Sequence, residues 1–180
     1  MNETTQITTL RLDLIPLNRE QLGNYLNREE NFFREVGPTS RAILTPILQK
    51  AIRMKLLKLE QTSLRDSGWI TYWLIKVPPE GFGAGMIGFK GLPDQNGDVE
   101  IGYGIDPIYR NQGYTTEAVR GMIAWAFNDV RCQRITAPGT LRSNPASSKV
   151  LKKVGMKIYT ETPDTISWCL KKEDYYLKYE

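Results

Sequence analysis

The 180-residue chain contains no histidine and only two cysteines, Cys132 and Cys169. The absence of histidine excludes every catalytic triad or dyad that uses an imidazole base, and it excludes histidine-rich zinc sites. Two cysteines far apart in sequence are typical of buried free thiols, although a single disulfide between them stays open. Any chemistry must therefore use carboxylates, hydroxyls, thiols, lysine or a bound cofactor, and we expect no metal.

Long apolar runs are missing as well. No apolar run approaches the roughly 20 residues that cross a bilayer, and the first ten residues lack the basic start and apolar block of a secretory signal. We therefore expect a cytoplasmic protein without a membrane partner. The length, the hydrophobic content of 41% and the charged content of 24% are ordinary for one globular domain, which we expect to extend over residues 8–176.

The balance of charge is positive, with 24 Lys and Arg against 20 Asp and Glu and a net charge of +4. This excess favours an anionic ligand such as a nucleotide, a nucleic acid or a membrane surface. A solvated basic face explains the same excess equally well.

The first half of the chain alternates between strand and helix patterns. Leucines alternate with polar residues over 10–14 and predict an opening strand, and residues 18–33 predict a helix. Thr45 and Pro46 predict the N-cap and first turn of a second, basic amphipathic helix, which we expect to pack on its own domain. The predicted apolar face of that helix comprises Ile47, Leu48, Ala51, Ile52 and Leu56.

The second half predicts a mixed sheet. Strand-like runs begin at Trp69, Gly85 and Asp98, and the Asn96–Gly97 pair between the last two is a strong hairpin signal, so we expect an antiparallel meander. A helix near 113–128 and a strand near 134–141 then predict a right-handed crossover to a parallel strand. After a helix near 144–154, the segments "KIYTET" and "TISWCLKK" predict an antiparallel pair.

Residues 83–88, Gly-Ala-Gly-Met-Ile-Gly, match the glycine spacing of a dinucleotide-binding fingerprint. That fingerprint must open a helix, whereas this segment leads into a strand-like run. We therefore expect no dinucleotide here, and we expect the glycines to lie in a turn and in a strand that other groups cross closely.

The segment "YRNQGYTTEAVRGMIAWAF", from Tyr109 to Phe127, predicts a loop that leads into a helix. Helix N-termini bind anions, and Arg110 adds positive charge beside this one. Tyr114 and Thr115 follow Gly113 where a nucleotide-hydrolysing phosphate loop would have Lys-Ser or Lys-Thr. The pattern therefore favours a bound phosphate or pyrophosphate that is not hydrolysed.

Three segments carry a family resemblance. "GYGIDPIYRNQGYTTEA" resembles the acetyl-CoA-binding motif of the GNAT acetyltransferase superfamily, with Arg110, Gly113 and Thr115 at the marked positions, although Thr115 stands where Gly or Ala is usual. Residues 144–156 are similar to the second cofactor segment of that superfamily. "TTLRLDLIPL" looks like the first strand of the branch that includes the ribosomal-protein N-terminal (alanine) acetyltransferases.

The resemblance implies an α/β fold with a mixed, mostly antiparallel sheet of six to seven strands, splayed parallel central strands and helices on both faces. It implies transfer of the acetyl group of acetyl-CoA, as cosubstrate, to a primary amine by direct attack. The acceptor amine stays open among a protein N-terminus, a polyamine, an amino sugar and a small metabolite. The expected cofactor-binding residues are Tyr103, Gly104, Ile105, Arg110, Asn111, Gln112, Gly113, Tyr114, Thr115, Thr116, Asn144 and Lys149.

Acetylation requires a neutral amine, whereas a lysine-like amine with a pKa near about 10.4 arrives protonated. Glu100 is the candidate general base, because strand alternation places it on the face opposite Val99 and Ile101. The resemblance implies a carboxylate on this strand that often acts through water. A surface glutamate is the alternative interpretation.

The departing thiolate needs little acid assistance, because a thiol has a pKa near about 8.5. Many relatives place a tyrosine four residues before the glycine that ends the last cofactor helix, and here that position is Leu151. Ser147 resembles a serine of the ribosomal-protein branch and is the candidate that hydrogen-bonds the CoA sulfur. Ser147 also suits a bond to its own helix, and Asn144 also suits a helix N-cap.

Two functions of other classes remain open. The presence of Leu151 in place of the usual tyrosine favours a non-catalytic acyl-CoA-binding regulatory module. The candidate base Glu100 argues against such a module. A basic ribosome- or nucleic-acid-binding domain is suggested by the lysines of residues 149–157, which we interpret instead as neighbours of the CoA 3′-phosphate or as solvated positions. We expect no nucleic acid, and a monomer or a homodimer.

Overall fold

The computed structural model describes residues 6–79 and 81–177, which form a mixed sheet with helices on both of its faces. The strands are β1 (Ile7–Thr8), β2 (Asp13–Pro16), β3 (Trp73–Val77), β4 (Phe82–Phe89), β5 (Asp98–Ile105), β6 (Arg134–Leu141), β7 (Lys157–Glu161) and β8 (Thr165–Lys171). The α-helices are α1 (Arg19–Asn27), α2 (Glu30–Val36), α3 (Pro46–Leu59), α4 (Ser67–Ile70), α5 (Tyr114–Phe127), α6 (Pro145–Lys153) and α7 (Lys172–Tyr176), and a short 3₁₀ turn spans Pro107–Tyr109.

The strands lie in the order β1-β2-β3-β4-β5-β6-β8-β7. Among the described strands, β5 and β6 form the one parallel pair, and α5 connects them as the crossover that the sequence predicts. Their pairing extends only from Asp98 opposite Arg134 to Glu100 opposite Thr136. Beyond Glu100 the two strands diverge and leave a gap in the middle of the sheet, which confirms the splayed parallel centre.

The N-terminal region differs from its prediction. The opening strand is divided into β1 and β2 by a bend, where Leu10 is 92% exposed, and this division is one reason that the described sheet has eight strands rather than six or seven. The helix predicted over 18–33 is two helices, because Arg28 adopts a left-handed conformation with φ of 61° that ends α1. Its amide donates to the carbonyls of Asn24 and Tyr25, as a C-cap does.

The predicted strand from Trp69 is also shorter than expected, because Ser67–Ile70 forms α4 and the strand begins at Trp73. Trp69 is nevertheless buried in the same core as Trp73. The short helix therefore preserves the burial that the apolar pattern indicates and changes only the backbone conformation.

Two hydrophobic cores cover the two faces of the sheet. The larger core packs α5 and α6 against residues such as Ile75, Ile87 and Val99. The smaller core packs α1, α2 and α3 against Leu74 and Met86, which alternate with the first set along their strands. This alternation places Gly102 and Gly104 of β5 on the α3 face, because they pair with Gly88 and Met86 of β4.

The glycines of residues 83–88 all lie within β4, whereas the sequence predicts a turn as well as a strand for them. A Cβ atom on Gly85 would lie 2.5 Å from the carbonyl oxygen of Gly104, and one on Gly88 would lie 2.8 Å from that of Thr71. These glycines therefore allow close backbone approach, and the chain continues into a hairpin rather than the helix that a dinucleotide fingerprint needs.

Lys55 is buried on the inner side of α3, with 6% of its surface exposed. Its Nζ donates to the carbonyl oxygens of Ile70 at 2.5 Å, Phe89 at 2.5 Å and Thr71 at 3.3 Å. It also lies 4.6 Å from the centre of the Tyr72 ring. Three acceptors match the three N–H groups of an ammonium, so this contact ties α3 to the ends of α4 and β4.

Replacing Lys55 with methionine should lower the free energy of unfolding by about 1–3 kcal/mol, because it leaves buried carbonyls without a donor. Burial, with a smaller contribution from Lys58, lowers the pKa of Lys55 from 10.5 to about 7. The unfolded chain therefore binds more protons than the folded chain between these values, and wild-type stability should rise with pH across that window. Urea unfolding at several pH values should show this rise in the wild type and not in Lys55→Met, and an equal slope in both would contradict the assignment.

The two cysteines are free thiols, so the disulfide that the sequence left open does not form. Cys132 is buried, and burial raises the pKa of its thiol to about 12. A thiol in that state is a poor nucleophile, and its role is packing.

Candidate functional site

A cleft of about 1040 Å³ opens where β5 and β6 diverge. Its walls come from β5, the loop before α5, the N-termini of α5 and α6, and α3 with the segment before it. All of the predicted catalytic and cofactor-binding residues line this cleft except Glu100 and Gln112. Segments that are far apart in sequence thus meet at one place.

The start of α5 forms one end of the cleft. Gly113 is the N-cap and has φ of 83°, a left-handed conformation that glycine adopts without strain. Within the described residues, no acceptor is found for the amides of Tyr114, Thr115 or Thr116. These N–H groups and the positive end of the helix dipole face the cleft and suit a phosphate or pyrophosphate.

Arg11 supports this loop from outside the cleft. Its guanidinium donates to the Gln112 carbonyl at 3.0 Å and lies 4.7 Å from the centre of the Tyr114 ring. Glu117, in the first turn of α5, accepts bonds from the Arg11 amide at 2.7 Å, the Arg11 Nε at 2.8 Å and the Thr9 hydroxyl at 2.8 Å. Burial alone would raise the pKa of Glu117, but the bonds from Thr9 and Arg11 outweigh it and lower that pKa.

Gln112 therefore stabilises the loop and does not line the cleft. Its carbonyl accepts from Arg11, and its side-chain amide donates to the carbonyl of Ile108 at 3.3 Å. Sequence reasoning missed the contribution of Arg11, which it treated only as part of the opening strand. The pair of Arg11 and Glu117 spans more than 100 residues of sequence, and no local signal indicates it.

The edge of β5 forms the floor of the cleft. Residues 101–105 pair with β4 on one side, from Phe89 opposite Ile101 to Gly85 opposite Ile105. On the other side, β6 has already diverged, so the outward N–H and C=O groups of this stretch face the gap. Apart from Gly104 itself and its two chain neighbours, no atom of the described residues lies within 4 Å of the position that a Cβ on Gly104 would take, so the floor is open on the α3 face.

The start of α6 brings Asn144, Ser147 and Tyr103 together. The Asn144 side chain accepts from the Ser147 amide at 3.2 Å, so the N-cap role is present and its amide nitrogen remains as a donor beside the cleft. The Ser147 hydroxyl lies 3.0 Å from the Tyr103 hydroxyl. Burial raises the pKa of Tyr103, and the bond with Ser147 lowers it by a smaller amount, so the phenol stays protonated near neutral pH.

Sequence reasoning missed the phenol of Tyr103 as a candidate catalytic group, because it predicts Tyr103 only as a cofactor-binding residue. Leu151, which stands where relatives place a tyrosine, is buried in the larger core. The structure thus supplies a tyrosine hydroxyl from β5 rather than from α6. Strand alternation directs Tyr103 toward α6 but does not indicate that it meets Ser147.

Glu100 lies on the α3 face of β5, two and four positions before Gly102 and Gly104, and it is the last residue of β5 that pairs with β6. It forms an ion pair with Lys90, whose side chain is well exposed. Its carboxylate does not line the cleft. This position suits a contact through water between Glu100 and a molecule in the cleft.

Asp106 links the two halves of the cleft. It is buried, accepts from the Ser40 hydroxyl, and accepts from the Ile108 amide at 2.9 Å. Ser40 belongs to the segment before α3, and Gly83 holds that segment by accepting from the Ser40 amide at 2.8 Å. The wall that α3 contributes is thus anchored to Asp106, which begins the loop between β5 and α5.

Within residues 6–79 and 81–177, no group of three or more His, Cys, Asp or Glu side chains is arranged to hold a metal ion. In the same ranges, no helix is long and apolar enough to span a membrane.

Residues 11–157 match the acetyltransferase (GNAT) domain family. The uncharacterized N-acetyltransferase YjdG of Bacillus subtilis (strain 168) is 36% identical over 84 residues, which are 47% of this chain and 49% of that protein. YnaD, an uncharacterized N-acetyltransferase of the same organism, is 36% identical over 58 residues, 32% of this chain and 34% of that protein. The chain thus spans about a third to a half of the length of these curated relatives.

Solved structures match over nearly the whole chain. A ribosomal-protein-S5-alanine acetyltransferase from Vibrio fischeri has a TM-score of 0.67 and 20% identity, over 95% of this chain and 98% of that one. A ribosomal L7/L12 alpha-N-protein acetyltransferase in complex with coenzyme A has a TM-score of 0.68 and 14% identity, over 94% of this chain and 99% of that one. At these identities the likeness establishes the fold.

Proposed function

The chain belongs to the acetyltransferase (GNAT) domain family, and on that premise we propose that it transfers the acetyl group of acetyl-CoA to a primary amine by direct attack. The observation that carries the proposal is the cleft, in which the amides at the start of α5, which have no acceptor in the described part of the chain, lie beside the open edge of β5. We propose that residues 8–176 form a single domain with this activity.

The residues of the cleft fit the parts of acetyl-CoA. The amides of Tyr114, Thr115 and Thr116 would hold the pyrophosphate, with Arg110 beside them. Lys149 and Lys153, which also line the cleft, suit the 3′-phosphate. The amides of the pantetheine arm would pair with the open edge of β5 and take the place of the diverged strand.

The chemistry would take place near the middle of the β5 edge. Glu100 would accept the proton of the amine through water. A backbone N–H in residues 103–105 would stabilise the oxyanion that forms when the amine attacks the thioester carbonyl. The sulfur would leave as a thiolate near the Ser147 hydroxyl. The Tyr103 phenol would hold that hydroxyl in place or donate a proton to it.

Replacing Tyr103 with phenylalanine should lower kcat by roughly 10-fold and leave the affinity for acetyl-CoA nearly unchanged, because the thiolate needs only modest assistance. Since the pKa of Tyr103 is raised, the loss should be uniform between pH 6 and 9. Steady-state kinetics across that range would measure it.

Ser147→Ala is the matched variant, because the two hydroxyls contact each other. If they act as one unit, the double variant should be no slower than the slower single variant. Fully additive losses would show that the two hydroxyls act independently, and an unchanged kcat in Tyr103→Phe would remove Tyr103 from the mechanism.

The function itself is tested with acetyl-CoA and a panel of amines, peptides and amino sugars. Acetyl-CoA should raise the melting temperature, and at least one class of amine should release free CoA. Stabilisation without CoA release from any amine would favour a non-catalytic acyl-CoA-binding module. Absence of stabilisation would reject acetyl-CoA as a ligand.

A further inference from the structure

The cleft has two walls of different chemistry. The charged residues among its lining are Arg110, Lys149 and Lys153, and all three belong to the wall where acetyl-CoA is proposed to bind. The opposite wall, here called the acceptor wall, is uncharged and mostly apolar. It comprises Ile43, Ile47, Leu48, Ala51, Tyr72 and Met86.

No Asp or Glu side chain lines the cleft within the described part of the chain. The two carboxylates nearest in sequence to its floor are engaged elsewhere. Asp106 is buried and accepts from Ser40 and from the Ile108 amide, and Glu100 pairs with Lys90. An amine with a second cationic group would therefore find no carboxylate on the cleft surface to pair with.

We propose that the acceptor is a monoamine whose amino group is next to an uncharged, apolar substituent, and that polyamines and amino sugars with several ammonium groups are poor acceptors. The proposal rests on the proposed acetyl transfer and specifies its substrate class. The apolar substituent would lie against the acceptor wall, where burial of its carbon atoms favours binding. A second ammonium in the same position would lose water and gain no counter-charge.

The wild-type protein is tested with pairs of acceptors that differ in one charge. Hexylamine against 1,6-diaminohexane represents small amines, and a Leu-Gly-Gly amide against a Lys-Gly-Gly amide represents peptide N-termini. We expect kcat/KM to be at least about tenfold higher for the uncharged member of each pair. Spermidine and an aminoglycoside should be slower than hexylamine. The two pairs together identify whether the acceptor is a small amine or a chain terminus.

A carboxylate added to the acceptor wall should reduce this preference. Ile47 lines the cleft, is 84% exposed and lies in the first turn of α3, where glutamate is favourable, so Ile47→Glu should fold normally. Ala51→Glu places the charge one turn further along α3 and should reduce the preference for the uncharged acceptor more strongly. Met54→Glu is the matched control, because Met54 is 54% exposed on the same helix and does not line the cleft.

We expect the preference for the uncharged acceptor to fall by several-fold or more in Ile47→Glu and Ala51→Glu and to remain at the wild-type value in Met54→Glu. Equal or faster acetylation of the dicationic acceptors by the wild type would overturn this inference while leaving acetyl transfer intact. An identical preference in all three variants would also overturn it. Failure of every amine to release CoA would instead reject the proposed transfer, and this inference with it.

Discussion

Replacement of Gly113 by valine should abolish measurable acetyl-CoA binding in a protein that remains folded. Gly113 has φ of 83°, and a β-branched residue in this region costs of order 1–3 kcal/mol or more of backbone strain. The loop would relieve that strain by rotating the amides of residues 114–116 away from one another. Because these amides and the helix dipole form the proposed anion site, affinity should fall at least about 100-fold.

Isothermal titration with acetyl-CoA measures this effect, and circular dichroism with thermal unfolding establishes that the variant is folded. Gly97→Ala is the control, because Gly97 also has a positive φ, of 77°, and its Cβ would lie 2.8 Å from the Arg131 carbonyl. It lies at the opposite end of β5, in the β4–β5 turn. The control should lose stability and keep its affinity, whereas tight binding by Gly113→Val would overturn the proposed anion site.

Glu100→Gln should lower kcat by about 10²–10⁴-fold, the range typical of the loss of a general base. Affinity for acetyl-CoA should change little, because Glu100 lies outside the cleft lining and no proposed acetyl-CoA contact involves it. The pH profile of kcat should differ between the variant and the wild type, because the variant has no carboxylate at this position to accept the proton of the amine. The measurement is kcat as a function of pH at saturating acetyl-CoA and amine.

A control variant that loses one negative charge elsewhere distinguishes a catalytic effect of Glu100 from a general electrostatic effect. Glu60 is an exposed glutamate at the end of α3 that pairs with Arg19, as Glu100 pairs with Lys90. Glu60→Gln should keep both the wild-type rate and the wild-type pH profile. A pH profile in Glu100→Gln that matches the wild type would exclude Glu100 as the base, even if the rate were lower.

The sequence predicts those parts of the site that local chemistry determines. Gly113 and the residues after it carry the signature of a turn and a helix start within a few positions, and Thr45 with Pro46 does the same for α3. The parallel pair of β5 and β6 follows from chain order, because a strand, a helix and a strand are almost always joined by a right-handed crossover. These features need no knowledge of distant contacts.

The rest depends on contacts between distant segments. Arg11 reaches Glu117 and the Gln112 carbonyl only when the sheet places β1 and the bend after it beside α5, and Tyr103 meets Ser147 only when the start of α6 lies beside β5. Lys55 shows the same limit, because helical periodicity does not indicate that three backbone carbonyls accept from its ammonium. The apolar pattern likewise continues through Trp69, although the backbone there is helical.

The divergence of β5 and β6 also affects how this protein meets other protein chains. An unpaired strand edge is a template for edge-to-edge association and aggregation, and most sheets expose such edges at their rims. Here the open edge of residues 101–105 faces a gap in the interior of the sheet, between β5 and β6, which pair with each other at the base of that gap. A flexible, slender molecule can enter that gap, whereas an intruding β-strand would have to fit its side chains against α5, α6 and the acceptor wall. The arrangement keeps backbone hydrogen-bonding groups available to a ligand while protecting them from intermolecular β-pairing.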